Sequence, residues 1–374
     1  MPFESFAIDI GGQEADDLYA DLAGVEVELS DEAPATFRLT LRIQRQAEDG
    51  AWNWVDDERF RPWSEVVIRM GYDDAGPEEV LRGYVTGSHA RFSRDEEASM
   101  FEVAGVDASI RMDREEKLKD WPNRKDSDIA TELFTAYGLT PQVEATQVSH
   151  DEALSTVIQR ETDWQLLRRL STRNGYGCWV EEGTGHFGPV PAAGEPPQPL
   201  LAAFFGDETN LLSFSATVDG LRPAQVAMHQ VDRLTKEVVS AEATTATRDP
   251  LGSLDAAALL PAGIDPAKVI VSKNAATGVP EMTALVQGLF GEGAWMVSGE
   301  GEIDGPAYGH VLRPRAMVTI KGVGESHSGV WYVSWVRHAV TPDGYTQNFR
   351  ARRDGLLPTG AEDFASGGGV LGLL

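Results

Sequence analysis

Nine consecutive residues alternate between polar and apolar side chains, and this pattern constrains the fold more than any other in the sequence. Between Thr36 and Gln44 every second residue is apolar, and these residues are Phe37, Leu39, Leu41 and Ile43. Successive side chains of a β-strand point to opposite faces of the sheet, whereas a helix needs apolar residues three and four positions apart. The pattern therefore predicts a β-strand with one face buried and one face exposed.

More strand-like runs follow at short intervals. They span Glu65–Tyr72, Val80–Thr86 and Ser99–Val106. The first two are separated by Asp73–Pro77, whose Asp, Gly and Pro residues favour a turn. Strands joined by short turns pair antiparallel, so roughly the first 110 residues are predicted to form an antiparallel β module.

The spacing of apolar residues then becomes helical. In Asp128–Tyr137 they recur three and four positions apart, which predicts a helix. Gly138 stands where a left-handed residue ends a helix, and Leu139 can make the hydrophobic contact that accompanies such an ending.

Two capping motifs come next in the chain. Ser149 with Glu152, and Thr162 with Gln165, both match the pattern in which a hydroxyl residue and an acid or amide three positions later satisfy the first amides of a helix. Each motif precedes several apolar residues. We therefore expect two more short helices, the last of which ends near Asn174–Gly175.

The segment Glu182–Pro199 is rich in glycine and proline, which predicts a long loop or linker because neither residue supports a ladder or a helix. A second β-rich part begins near Leu201. It is interrupted by a segment at Ser240–Ala267 and by a helix predicted at Glu281–Phe290, and it resumes from Arg315 to Arg352.

The end of this β-rich part contains the clearest hairpin. Val333–Val340 and Tyr345–Ala351 flank Thr341-Pro342-Asp343-Gly344, in which proline suits the second turn position and glycine accepts a positive φ. The last segment, Ala361–Leu374, is glycine-rich with an apolar end, and we expect it to be flexible until it binds a partner.

The charge of the chain excludes one class of partner. Its 374 residues include 59 acidic and 32 basic side chains, which gives a formal net charge of −27. This charge repels a polyanion, so no nucleic-acid binding is expected. The first residues lack the features of a signal peptide, and no apolar run reaches membrane-spanning length, so we expect synthesis and assembly in the bacterial cytoplasm without direct membrane insertion.

Few residue patterns suggest catalysis. His150-Asp151-Glu152 stands at a predicted helix start, where acids stabilise the helix dipole. Cys178, the single cysteine, lies in an apolar run and is interpreted as a small core residue. The segment Gly324–Gly329 does not match G-x-S-x-G, and the histidines lack metal-ligand spacing. No enzyme activity, cofactor or metal is expected.

Two runs of the sequence together resemble a known family. The first extends from Ile158 to Leu170, reads IQRETDWQLLRRL and closes on Asn174-Gly175-Tyr176. The second comprises Val318–Gly324, Ser328–Val333, Val336–His338 and Gly344–Arg353. In their order and spacing these runs resemble the phage late control D family, which includes the hub portion of VgrG-type spike proteins.

The resemblance implies a β-rich α+β fold with two β-barrel-like modules flanking a helical α/β insertion. The expected bounds are 1–112 for the N-terminal module, 113–199 for the insertion with its exit loop, 200–358 for the C-terminal module and 359–374 for the tail. Three chains would then form a pseudo-hexameric ring, since six similar modules can meet a hexameric tube.

The function implied is that of a homotrimeric baseplate hub, which joins the inner tail tube to a spike and contacts other baseplate components. The oligonucleotide-binding-type domain and needle that follow the hub in VgrG proteins are absent from the sequence, so a separate spike protein is expected. The resemblance leaves open whether the particle is a phage tail or a headless contractile injection system.

The residues that carry the resemblance are expected to be structural. Asp163 falls in a first helical turn, Trp164 and Leu167 share one face of that helix, and His338 is interpreted as a hydrogen-bonded structural histidine. The full set is Arg160, Asp163, Trp164, Leu167, Gly322, Gly324, His338, Tyr345 and Phe349.

One alternative belongs to another functional class. Acidic, β-rich chains with many tryptophans often bind glycans, and paired carboxylates can cleave them. The sequence has nine Trp, but no particular pair of carboxylates stands out. A glycan-binding or glycan-cleaving enzyme therefore remains the second hypothesis.

Overall fold

The computed structural model describes residues 4–46, 50–72, 76–95, 98–153, 156–190, 197–232, 234–273 and 276–364. Four parts of the sequence predictions lie outside these residues. They are Asp73–Ala75 of the first predicted turn, Leu154 of the second predicted helix, residues 191–196 of the predicted Gly/Pro-rich loop, and the tail beyond residue 364 with Gly367–Gly369.

In the described residues the N-terminal β part has seven strands, and every pairing among them is antiparallel. They are β1 (Glu4–Ile10), β2 (Gln13–Glu14), β3 (Leu22–Ser30), β4 (Thr36–Arg42), β5 (Glu65–Tyr72), β6 (Glu78–Arg91) and β7 (Met100–Asp107). Their order in the sheet is β3-β4-β7-β6-β5-β1-β2. The antiparallel module predicted from the sequence is confirmed.

The alternating segment lies in the middle of this sheet. Its four apolar side chains are at most 3% exposed, while Arg38 and Arg42 are exposed, as the pattern predicts. The buried face joins one hydrophobic core with apolar residues of β1, β3, β5, β6 and β7. Burial of this face is the main stabilising contribution to the sheet.

The middle of the chain contains short strands and two helices. Its elements are β8 (Lys117–Trp121), β9 (Arg124–Lys125), α1 (Asp126–Ala136), β10 (Thr140–Val143), β11 (Ser149–His150), β12 (Val157–Glu161), α2 (Asp163–Asn174), β13 (Gly177–Glu181) and β14 (Thr184–Gly188). Helix α1 precedes Gly138, which has φ +75° as predicted. In α2 the hydroxyl of Thr162 accepts a hydrogen bond from the amide of Gln165, and Gly175 ends the helix with φ +67°.

The helix predicted from Ser149 and Glu152 is wrong. Ser149–His150 is strand β11, and Val157–Glu161 is strand β12, which pairs antiparallel with β8. Within β12, Val157 and Gln159 are buried while Ile158 is 49% exposed, a period of two rather than 3.6. The partner strand lies more than thirty residues earlier, so a local capping pattern could not reveal it.

The loop predicted over Glu182–Pro199 is also partly wrong, since Thr184–Gly188 forms strand β14. Glu182 and Gly183, with φ +47° and +75°, make the tight turn of the hairpin between β13 and β14. Positive φ at both central residues suits the twist of a hairpin, so the glycine that suggested a loop instead reverses a strand.

The C-terminal part contains eleven strands and two helices within the described residues. They are β15 (Gln198–Ala202), β16 (Leu211–Val218), β17 (Gln225–Val231), β18 (Val238–Ala243), β19 (Leu254–Asp255), β20 (Lys268–Val271), α3 (Val279–Gly293), β21 (Val297–Ile303), α4 (Gly305–Tyr308), β22 (Met317–Lys321), β23 (Gly329–Thr341), β24 (Gly344–Arg353) and β25 (Gly355–Leu356). Both the helix near Glu281–Phe290 and the closing hairpin β23–β24 are confirmed.

Six of these strands surround one core in the order β15-β22-β23-β24-β21-β16. The side chain of Asn210 joins strand β15 to the loop that precedes β16. Its amide nitrogen donates to the Leu200 carbonyl at 2.9 Å, and its Oδ1 accepts from the Ala202 amide at 2.7 Å. A smaller sheet, ordered β18-β17-β20, packs on α3 around a separate core.

Strand β23 joins the N-terminal and C-terminal parts. Its residues Trp335–Val340 pair with Val25–Ser30 of β3, so one 13-stranded sheet runs through both parts and curls into a half-barrel. Within the described residues, β16 pairs on one side only, and β1 pairs with β2 only at Asp9 and Ile10. None of the helices in these ranges is long and apolar enough to cross a membrane.

Candidate functional site

An exposed phenylalanine stands on a loop next to the glycines of the second family-like run. Phe204, in the loop between β15 and β16, is 95% exposed and has φ +55°, a conformation that costs energy for a bulky residue. The next residue, Phe205, has its amide bonded to the Thr209 hydroxyl at 2.8 Å. The loop therefore holds an apolar side chain in solvent by specific hydrogen bonds.

Lys321 and Gly322 support this loop from strand β22 and the residue after it. The ammonium of Lys321 binds the Glu208 carboxylate at 2.5 Å and lies 4.5 Å from the centroid of the Phe205 ring. Gly322 has φ +81° and packs directly against Ala203. At Gly322 the chain therefore makes close contact with the Phe204 loop.

An acidic groove of about 610 Å³ adjoins the same loop. Pro199, Glu208, His310, Glu362 and Asp363 are among the residues that line it. The carboxylate of Glu362 accepts hydrogen bonds from the amides of residues 359 and 360, which stabilises a local turn at the start of the predicted tail. The loop therefore presents two exposed aromatic side chains, Phe204 and Phe205, next to the carboxylates of the groove, an arrangement typical of protein docking surfaces.

Asp163 is the centre of a hydrogen-bond network in the middle part. Its side chain is 1% exposed and accepts hydrogen bonds from Lys117 at 2.5 Å, Tyr137 at 2.7 Å and Gln159 at 2.8 Å. Burial works to raise the pKa of Asp163, but these three donors outweigh it and hold the pKa below its usual range. Asp163 thereby fixes the β8–β12 pair to helices α1 and α2.

Trp164 and Leu167 both point into the core of this middle part, as their shared helical face predicts, and they are 5% and 0% exposed. Trp164 also lines a small cavity together with Leu29 and Ala35 of the N-terminal part. Arg160, by contrast, pairs with Leu118 through the β12–β8 ladder, while its side chain is exposed and its guanidinium forms no hydrogen bond or ion pair with any residue in the described ranges. The first family-like run therefore supplies both a packed core and an exposed cation, Arg160, whose side chain has no partner in the described ranges.

All three family-like residues of the closing hairpin, His338, Tyr345 and Phe349, are buried. His338 is fully buried, and its Nδ1 lies 2.8 Å from the Tyr345 hydroxyl. Tyr345 stacks on Tyr72 with ring centroids 5.1 Å apart, and Phe349 packs against Phe214 in the core of the C-terminal part. His338 is thus buried beside an aromatic hydroxyl, and its structural role stays a prediction. Gly324, with φ +82°, has an open environment.

Three arginines from distant parts of the chain bind the turn that follows β3. Arg168 donates to the Glu32 carbonyl at 2.6 Å, and Arg315 donates to the Ser30 carbonyl at 2.8 Å. Arg352 pairs with the Asp31 carboxylate at 2.6 Å. This turn thus ties the middle part and the C-terminal part to the N-terminal sheet. No local pattern in the sequence indicates these contacts, because the partners lie more than 130 residues apart.

The residues considered for catalysis lie in three separate parts of the fold. His150 is 1% exposed and binds the Asp126 carboxylate at 3.0 Å, at the end of β11 rather than at the predicted helix start. Arg173 and Asn174 bind the same carboxylate. Burial works to raise the pKa of Asp126, but His150 and the charge of Arg173 outweigh it and lower the pKa.

Cys178 is 2% exposed, and burial raises the pKa of its thiol to about 12, so the thiolate needed for nucleophilic attack is not populated near neutral pH. In Gly324–Gly329 the Ser328 hydroxyl donates to the Gly324 carbonyl at 2.7 Å. Across the described ranges no group of three or more His, Cys, Asp or Glu could hold a metal ion.

Comparison with known proteins gives a family and a fold. A family model described as the Alg8 N-terminal domain matches residues 3–342. No curated protein matches the chain.

Three similar solved structures share the fold at low identity. The 43 kDa tail protein of prophage MuSo2 from Shewanella oneidensis has a TM-score of 0.67 at 15% identity, with 95% of this chain and 100% of that chain covered. A tail protein from Neisseria meningitidis MC58 has a TM-score of 0.63 at 15% identity, with coverages of 95% and 98%. The E. coli c3393 protein, a component of the type VI secretion system, has a TM-score of 0.53 at 10% identity, with coverages of 96% and 79%.

Proposed function

This chain belongs to the Alg8 N-terminal domain family, and we propose that it is a structural baseplate hub of a phage tail or contractile injection system. In this role it joins a hexameric inner tail tube to a trimeric spike and carries no catalytic activity. One observation supports the proposal above all others. The fold matches two tail proteins over 95% of this chain and at least 98% of theirs.

The open sheet edges support assembly with further copies. Edge strands present unpaired backbone groups, and exposed apolar edges invite pairing with another chain. Strand β16 is such an edge, and its residues Leu212 and Val218 are 60% and 42% exposed. We propose that three chains associate into a ring in which the N-terminal and C-terminal β parts stand as six similar modules, related by roughly a sixth of a turn.

The Phe204 loop supports docking of a second kind of protein. Binding energy at interfaces is concentrated in a few aromatic or arginine anchors surrounded by polar groups. Phe204 has the exposure, the hydrogen-bonded support and the polar surroundings of such an anchor. We propose that it contacts the tube protein or the spike protein during particle assembly.

The mass of the purified protein, alone and with tube protein, tests the proposal. A trimer that binds tube protein supports the hub, and a monomer that binds neither tube nor spike contradicts it. An assay on peptidoglycan tests the absence of catalysis. Turnover that disappears when one carboxylate is substituted would favour the glycan-cleaving alternative instead.

A further inference from the structure

A second exposed site lies where the N-terminal sheet meets the middle part of the chain. It is a groove of about 230 Å³, lined by Trp63, Tyr84, Arg111, Arg114 and Tyr137. Small-molecule sites usually have volumes of roughly 300–1,000 Å³, so this groove suits one large side chain rather than a whole cofactor. It is separate from the Phe204 loop and shares no lining residue with the acidic groove beside that loop.

Trp63 is held in an unfavourable conformation at the edge of this groove. Its φ is +76°, which is rare for a bulky residue, and its side chain is 43% exposed. The Trp63 amide donates to the Val85 carbonyl at 2.8 Å, and the Ser64 amide donates to the Arg61 carbonyl at 3.1 Å. Backbone strain of this kind is commonly retained at binding sites. Here the strained residue holds its indole ring at the surface, where the ring adds little to the packing of the core.

The two arginines of the groove have no acidic partner among the described residues. Arg114 lies 4.3 Å from the centroid of the Trp63 ring, and neither Arg111 nor Arg114 forms an ion pair with any residue of the described ranges. Both are exposed on a chain with a net charge of −27. Lys117 nearby is already paired with Asp163. The groove therefore offers two exposed guanidinium groups beside three aromatic rings.

We propose that this groove binds an extended segment of a partner protein, which places an apolar side chain on the rings and adjacent carboxylates on Arg111 and Arg114. Guanidinium groups bind carboxylates through paired, charge-assisted hydrogen bonds, and aromatic rings supply the apolar contact. Two cations are too few for the extended basic surface that a phosphate backbone needs, and a neutral glycan would leave both guanidinium groups unused. This inference goes beyond the hub role and does not depend on it.

Fluorine NMR of the protein labelled with 5-fluorotryptophan provides the test. The probe is the peptide acetyl-Glu-Phe-Glu-amide, and W63F assigns the Trp63 resonance. We expect a saturable shift of that resonance, with affinity lowered about tenfold in R111A and in R114A, since each loses a charge-assisted hydrogen bond. R350A is the matched control, because Arg350 lies 4.8 Å from the ring of another surface tryptophan, Trp335, and should leave binding unchanged.

Several outcomes would overturn the proposal. One is the absence of any shift up to about 10 mM peptide, the range in which even weak binding is visible. Another is an equal response to acetyl-Lys-Phe-Lys-amide, and a third is tighter binding of an oligosaccharide of hyaluronan, which would assign the groove to an acidic glycan. Melting curves must show that each variant folds, and Arg114→Gln replaces R114A if that variant does not.

Discussion

A Cβ atom added to Gly322 would lie 1.8 Å from the carbonyl oxygen of Ala203. No side chain fits at that distance, so the glycine allows the end of β22 and the Phe204 loop to touch. Gly322 belongs to the run that resembles late control D proteins, and the contact gives a physical reason for a glycine there.

Gly322→Ala should therefore destabilise the protein by clearly more than Gly324→Ala. Both glycines have φ near +80°, where alanine costs about 1 kcal/mol, but a Cβ added to Gly324 would meet no atom within 4 Å. The difference between the two variants in urea unfolding isolates the steric contact with Ala203. Equal losses of stability would show that the loop moves away freely.

Phe204→Asp should leave the melting temperature within a few degrees of the parent protein, because the ring is 95% exposed and buries little area. Binding of tube protein or of spike protein, measured with purified components, should fall at least tenfold if Phe204 is an anchor. Leu221→Asp is the matched control, since Leu221 is 89% exposed but lies outside the loop. Unchanged binding of both partners would remove Phe204 from the docking surface.

Local patterns in the sequence predicted the elements whose partners are near in the chain. The alternation of Thr36–Gln44 and the cap at Thr162 are examples, because each depends on residues a few positions away. The same capping pattern failed at Ser149, where pairing of β12 with β8 prevails over the local preference.

The candidate sites were harder to predict from the sequence than the strands and helices. The exposure of Phe204 depends on how strands β15 and β22 meet, and the Arg352–Asp31 pair joins residues more than 300 positions apart. Gly206, with φ +59°, is a turn residue of this loop, but two preceding phenylalanines are as typical of a core as of a surface. Among the residues of the first family-like run, Asp163 was predicted to act on the helix dipole, whereas its three side-chain donors form its main contacts.

Asp163→Asn should destabilise the protein by about 2 kcal/mol at neutral pH. This value is lower than for a fully buried ion pair, because Lys117 is 35% exposed and solvent screens its charge. An amide offers one oxygen to three donors and presents its own NH₂ group to them. Asp120→Asn on the neighbouring strand β8 is the control, because Asp120 is exposed. Since the pKa of Asp163 is lowered, its contribution is present above the ordinary aspartate pKa and is lost as the pH falls through the folded value.

Denaturant unfolding of both variants at pH 7 and at acidic pH measures these effects. The difference in unfolding free energy between the parent protein and D163N should become smaller as the pH falls. If D120N lost as much stability as D163N, the loss would arise from removing a carboxylate in this region and not from breaking the Asp163 hydrogen-bond network.

His338 should make the protein less stable in acid. Burial, with a further contribution from the charge of Arg313, lowers the pKa of His338 to about 3, so the folded protein keeps this imidazole neutral. The unfolded chain binds a proton there below about pH 6.5, and stability therefore falls as the pH drops from 6.5 toward 3. The expected contribution between pH 8 and pH 4.5 is about 2.5 kcal/mol.

His338→Gln separates this effect from the other titrating groups, because an amide can form a hydrogen bond with the Tyr345 hydroxyl in either direction but does not titrate. Unfolding free energies measured by urea titration at several pH values should fall less steeply with acid in H338Q than in the parent protein. The difference in slope should approach about 1.4 kcal/mol per pH unit, which corresponds to one proton taken up on unfolding. Parallel pH profiles of H338Q and the parent protein would mean that His338 is protonated in the folded state. A buried imidazolium beside Tyr345 would need an acidic partner, and no described residue places one in contact with His338.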